Sequence, residues 1–113
     1  MNIKIFNNNS SIVKKGAFLK FTFDEMMIWS KTWDHPNASP NDHIGWVNKN
    51  DIVLVLEDGV KNTIDDPWIG KDEFYIYHFG LGVAGYVFGI SSNQQQWVWE
   101  PLLQFGEKNE PKI

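Results

Sequence analysis

The sequence predicts an all-β protein, a single small β-barrel of about five to six antiparallel strands with a long irregular first loop. Three observations support this fold class. Apolar and polar residues alternate from Lys15 to Phe23, as they do in a half-buried strand. The run Ile52 to Leu56 is entirely aliphatic and rich in β-branched residues. A second alternating segment, 73–79, is followed by a glycine-rich turn and a return segment, 83–90.

The length of 113 residues fits one domain that can bury its own core. We expect an N-terminal arm over residues 1–11, the barrel over 14–105 and a C-terminal tail over 106–113. No second domain is expected.

The stretch 44–57 is expected to organise this domain, because its aliphatic run is typical of a central strand buried on both faces. We predict strands near 16–23, 51–57, 73–79, 83–90 and 97–103. The predicted core comprises Leu19, Phe21, Ile52, Leu54, Leu56, Phe74, Ile76 and Val87.

The segment 24–33 fits two structures. Asp24 could cap a short helix, whereas the alternation of Met27, Trp29 and Trp33 fits an irregular hairpin, which we favour. The following segment, 34–42, holds two prolines and several Asp and Asn residues and therefore predicts a surface loop.

Aromatic residues are unusually frequent, with 6 Trp, 3 Tyr and 8 Phe. A core of this size has room for about half of them, because buried Trp and Tyr need partners for their polar atoms. If Phe74 and Ile76 face the core, Tyr75 and Tyr77 face outward. Strand parity thus predicts an aromatic patch that binds a protein partner or a second copy of the chain. Its candidate residues are Tyr75, Tyr77, Tyr86, Trp97 and Trp99.

Composition argues against several classes of protein. The net charge is −4 and all ten cationic side chains are Lys, whereas nucleic-acid contacts favour Arg, so we do not expect nucleic-acid binding. No apolar run reaches the ~20 residues of a membrane span, and the N-terminus lacks the apolar core of a signal peptide. The absence of Cys excludes disulfides and thiolate metal sites.

Two patterns imitate chemical motifs. Residues 80–87 match G-x-G-x-x-G-x-V, but no helix-forming segment follows and no Lys lies on the next strand, so we predict a hairpin turn rather than a phosphate site. His35, His43 and His78 match no metal-binding spacing. With no arranged nucleophile either, we predict no enzymatic activity and no cofactor.

A set of residues resembles SH3-like small β-barrels, including short accessory proteins of tailed phages, over roughly residues 14–103. The set comprises Lys15-Gly16 with Phe21, Trp29, Gly45-Trp46-Val47, Asp51-Ile52, Leu54 to Glu57, Tyr75-Ile76-Tyr77, Gly82 and Gly85-Tyr86-Val87. The segment from Val60 to Asp72 is longer than the corresponding loop of that family, and no polyproline-pocket set is present. The resemblance implies a binding or assembly module in a bacterial host cytoplasm or a virion.

The predicted function is therefore a non-enzymatic protein-interaction or assembly module. One alternative is a small-ligand or nucleotide-binding inhibitor of a bacterial defence system, with a polar pocket near Gly80 to Gly85 or near His43. Another is a metal-dependent enzyme, which needs His35, His43 and an Asp to converge on one metal position.

Overall fold

The computed structural model describes residues 10–61, 72–91 and 96–102. They contain seven β-strands and two short 3₁₀ turns, Ser10–Ile12 and Pro40–Asp42. The strands are β1 (Phe18–Phe21), β2 (Glu25–Trp29), β3 (His43–Asn48), β4 (Ile52–Val55), β5 (Glu73–His78), β6 (Val83–Phe88) and β7 (Trp99–Pro101).

All seven strands belong to one antiparallel sheet with the order β3-β2-β6-β5-β4-β1-β7. The prediction of a mainly β protein is confirmed, but the sheet has two more strands than the lower estimate and is not closed. The extra width comes from the hairpin of β2 and β3, which joins β6 where Trp29 is the register partner of Tyr86. A separate bridge pairs Ile90, after β6, with Trp97, before β7.

The five predicted strands each contain an observed one, β1, β4, β5, β6 and β7. In the segment 24–33, the residues Glu25–Trp29 form β2 rather than a helix, but the strand that pairs with β2 in a hairpin is β3, which lies beyond this segment. The strand β3 is additional to that prediction. Most of the expected N-terminal arm, the end of the last predicted strand and the whole C-terminal tail lie outside the described residues.

The core lies on one face of the sheet. Its fully buried members include Leu19, Phe21, Ile28, Val47, Val53, Ile76 and Val87. The predicted core residues of β1, β5 and β6 are therefore confirmed.

The prediction for β4 was wrong, since Ile52, Leu54 and Leu56 are only half-buried while Val53 and Val55 are buried. The register explains the difference. Val53 pairs with the inward-facing Leu19. Cross-strand partners point to the same face, so Leu54 must face outward. β4 is thus buried on one face only, and the sheet's middle strand is β5.

The first residues of the glycine motif at 80–87 lie in the turn between β5 and β6, as predicted, whereas the motif from Val83 onwards belongs to β6. Gly82 has a φ of +70°, which favours glycine, and its N–H donates to the carbonyl of His78 at 2.8 Å. Gly85 lies inside β6. None of the helices in the described ranges has the length and hydropathy needed to cross a bilayer.

Candidate protein-contact surface

The outward face of the sheet carries a row of aromatic side chains. Tyr75 on β5 is paired in register with Tyr86 on β6, and their ring centroids are 4.6 Å apart. Both side chains are half-buried. Neighbours across strands reach each other at this spacing, so the two rings restrict each other's rotation.

A second row lies on the same face, two residues further along β5, at Tyr77. Phe18, Leu54 and Tyr77 are successive register partners across β1, β4 and β5. The Tyr77 ring meets Phe79 edge-on at 5.3 Å, and Phe79 stacks on Phe18 at 6.0 Å. Phe79 is 49% exposed, an unusual fraction for a large apolar side chain that contacts two other rings.

We call the combined set the outer aromatic surface, and it comprises Phe18, Tyr75, Tyr77, Phe79 and Tyr86. Burial is the main cause that raises the pKa of the Tyr86 hydroxyl, with the nearby Glu57 carboxylate as the next cause. The phenol therefore stays neutral at physiological pH, and the surface presents uncharged rings with hydroxyl groups that can donate and accept hydrogen bonds.

The three tyrosines predicted from parity thus face outward, but the two tryptophans do not join them. Trp99 is 2% exposed, and its Nε1–H donates to the Phe88 carbonyl at 2.8 Å. The prediction that it faces outward was wrong, because its register partner on β1 is the inward-facing Phe21.

Trp97 lies away from the outer aromatic surface as well. It stacks on Phe74 at 6.3 Å, and Phe74 points to the opposite face of β5 from Tyr75. Its indole N–H is buried, with no acceptor in the described part of the chain. The candidate surface therefore loses the two tryptophans and gains two residues that the prediction missed, Phe18 and Phe79.

The β2–β3 loop forms a second feature, a cleft of about 440 Å³. Two of its lining residues, Trp29 and Trp33, meet edge to face at 5.4 Å and 79°. Trp29 also approaches His43 at 5.7 Å, so the cleft lies beside that histidine. Only the closeness of two Trp residues to a proline-containing loop hints at this site in the sequence.

Glu73 on β5 fixes the position of this loop through the backbone of Trp33. Its carboxylate is 1% exposed and accepts the backbone N–H of Trp33 at 3.1 and 3.2 Å. Burial raises the pKa of Glu73 to about 7; the Trp33 N–H and Lys61 oppose the rise, whereas Asp34 adds to it. A side chain on β5 thus holds a loop that begins two strands away in the sheet.

The histidines have separate structural partners. His78 bonds through Nε2 to Asp51 at 2.8 Å and accepts the Leu81 N–H on Nδ1 at 3.0 Å. His43 bonds to the Gly45 carbonyl, and His35 accepts the Asn37 N–H. Within residues 10–61, 72–91 and 96–102, no three His, Asp or Glu side chains are grouped as metal ligands would be.

Comparison with protein-family models, curated proteins and solved structures finds no match to this chain.

Proposed function

We propose that this protein is a non-enzymatic interaction module that contacts a protein partner or a second copy of itself through the outer aromatic surface. The observation that carries the proposal is the half-exposed Phe79, which joins the rings of Phe18 and Tyr77 on an open sheet face. Rigid aromatic side chains dominate the binding energy of many protein interfaces.

A partner that binds this surface has little side-chain ordering to impose. Tyr75 and Tyr86 already fix one another, so an incoming partner gains contact area without freezing many rotamers. Truncation of a central aromatic residue in such a surface typically costs ~2 kcal/mol or more of binding free energy.

The proposal includes an SH3-like arrangement of the strands. It is supported by the order of β5 and β6 around a glycine turn and by the pairing of β1 with β7. The Val98 N–H also donates to the Gly89 carbonyl at 3.0 Å, which brings the chain before β7 beside the end of β6, as a small barrel requires. A role in a phage particle rests on the sequence resemblance alone.

The test compares Tyr77→Ala/Phe79→Ala with the control Ile44→Ala, which trims a similarly exposed apolar residue on β3. Molar mass would be measured by light scattering, and partners would be recovered by pull-down from the native source. We expect the double variant to lose mass or a partner that the control keeps. The proposal is wrong if the folded double variant retains both.

A further inference from the structure

The cleft of the β2–β3 loop shares no lining residue with the outer aromatic surface. Its volume of about 440 Å³ falls within the ~300–1,000 Å³ typical of small-molecule pockets. Its lining combines two indole rings with short polar side chains and one charged pair.

The walls of the cleft are fixed by hydrogen bonds within the loop and by one side chain of the sheet. Ser39 caps the 3₁₀ turn Pro40–Asp42, accepting the Asn41 N–H while the Asp42 carboxylate accepts the Ser39 N–H at 2.8 Å. Glu73 fixes the backbone of Trp33 from the sheet. A ligand would therefore meet a largely formed site and would not have to order the loop.

The charged groups of the cleft neutralise each other. Lys31 Nζ lies 2.9 Å from Asp42 Oδ1, and the hydrogen bond from Lys31 is the main cause that lowers the pKa of Asp42. An anionic ligand would have to compete with Asp42 for Lys31, and a cationic ligand would have to compete with Lys31 for Asp42. The site thus favours an uncharged ligand.

Three polar groups of the cleft retain hydrogen-bonding capacity. Across the described ranges, no protein group pairs with the Thr32 hydroxyl or accepts the Ser39 hydroxyl proton, although Ser39 Oγ accepts the Asn41 N–H. His35 accepts the Asn37 N–H on Nδ1 at 2.9 Å, so its neutral ring carries a proton on Nε2. A ligand with several hydroxyl groups along its edge could use all three.

The angle between the indoles decides between two kinds of neutral ring. A flat nucleobase is best held between parallel rings. Trp29 and Trp33 stand at 79° to each other, so a flat ring that stacks on one would meet the other only at its edge. A puckered sugar ring has C–H groups on its face and on its side, and both can contact an indole.

We propose that this cleft binds a neutral pyranose unit of an oligosaccharide. Trp29 and Trp33 contact the C–H groups of the sugar, and Thr32, Ser39 and His35 bond its hydroxyl groups. The Lys31–Asp42 pair fixes the loop and repels neither hydroxyls nor C–H groups.

The experiment begins with an array of neutral glycans probed with the full chain, followed by titration of the best glycan monitored by tryptophan emission. Trp33→Leu keeps an apolar side chain against Phe88 but removes the indole wall. Thr32→Val keeps the side-chain shape and removes one hydroxyl. Trp46→Ala is the matched control, because Trp46 is an exposed tryptophan that does not line the cleft.

We expect saturable binding that weakens about tenfold or more in Trp33→Leu and about fivefold in Thr32→Val, and that is unchanged in Trp46→Ala. Tyr77→Ala/Phe79→Ala should bind the glycan normally, which separates this site from the proposed contact surface. If Trp33→Leu does not fold, the glycan titration of Thr32→Val alone tests the proposal. An array without hits, tighter binding of adenosine than of any glycan, or equal binding by wild type and Thr32→Val would overturn the proposal.

Discussion

Glu73 is the residue whose environment departs most from that of an ordinary carboxyl group. It is buried and hydrogen-bonded to Trp33 N–H, and its pKa is raised to about 7 from 4.5. Between these pH values the folded protein holds a proton that the unfolded chain has released. The contribution of Glu73 to the free energy of unfolding is therefore complete below about pH 4.5 and is lost as the pH rises through about 7.

Glu73→Gln tests this linkage, because the amide keeps an acceptor for the Trp33 N–H and cannot ionise. We expect the variant to gain on the wild type by up to roughly 3 kcal/mol in unfolding free energy between about pH 5 and pH 8. Urea unfolding of the wild type and the variant at pH 5 and pH 8 measures how the difference between their unfolding free energies changes with pH. A difference that is independent of pH would show that Glu73 does not titrate in this range.

Gly85 allows β6 to approach the β2 strand. A Cβ at this position would lie 2.5 Å from Ile28 Cγ2 and 2.8 Å from the Trp29 carbonyl oxygen, so the backbone would have to shift. At Gly82 the φ of +70° is the only obstacle, since the nearest atom would lie at 3.7 Å.

We therefore predict that Gly85→Ala lowers the unfolding free energy by about 2 kcal/mol or more, through overpacking. Gly82→Ala should lower it by about 1 kcal/mol through backbone strain. Denaturant unfolding of both variants checks the order. Equal losses at the two sites would contradict the close approach of β2 and β6.

Among the strands, β4 has the orientation opposite to the one expected from the sequence. Val55 is 1% exposed, whereas the larger Leu54 is half-buried on the outer face. Val55→Ala should thus cost roughly 2 kcal/mol by leaving a cavity, and Leu54→Ala about 1 kcal/mol or less. Thermal or urea unfolding of the two variants measures these losses. A larger loss of unfolding free energy for Leu54→Ala would support the orientation of β4 expected from the sequence.

The sequence could predict β1 and β5 because polar and apolar residues alternate there, and the outward position of Tyr75 and Tyr77 follows from the same alternation. β4 could not be oriented in this way, since an all-aliphatic run has no polar face and its register with Leu19 is set by tertiary pairing. The cleft was unpredictable for a related reason. The distance between Trp29 and Trp33 depends on the path of the loop, which Glu73 on a separate strand fixes.

At the scale of the whole molecule, the sheet displays two aromatic features that are neighbours. The outer aromatic surface ends at Tyr86, and the register partner of Tyr86 on β2 is Trp29, a wall of the cleft. One protein face could therefore contact a macromolecule while the adjacent cleft holds a sugar unit. The two sites can be changed separately, because they share no residue.

Side-chain footprinting tests directly whether the outer aromatic surface is covered by a partner. Hydroxyl-radical oxidation would be compared between the isolated protein and the protein in its native assembly, with mass spectrometry to locate the oxidised residues. We expect oxidation of Tyr77 and Phe79 to fall several-fold in the assembly, and oxidation of Trp46, exposed on β3, to be unchanged. Protection of Trp46 with Tyr77 and Phe79 left as reactive as in the isolated protein would contradict it.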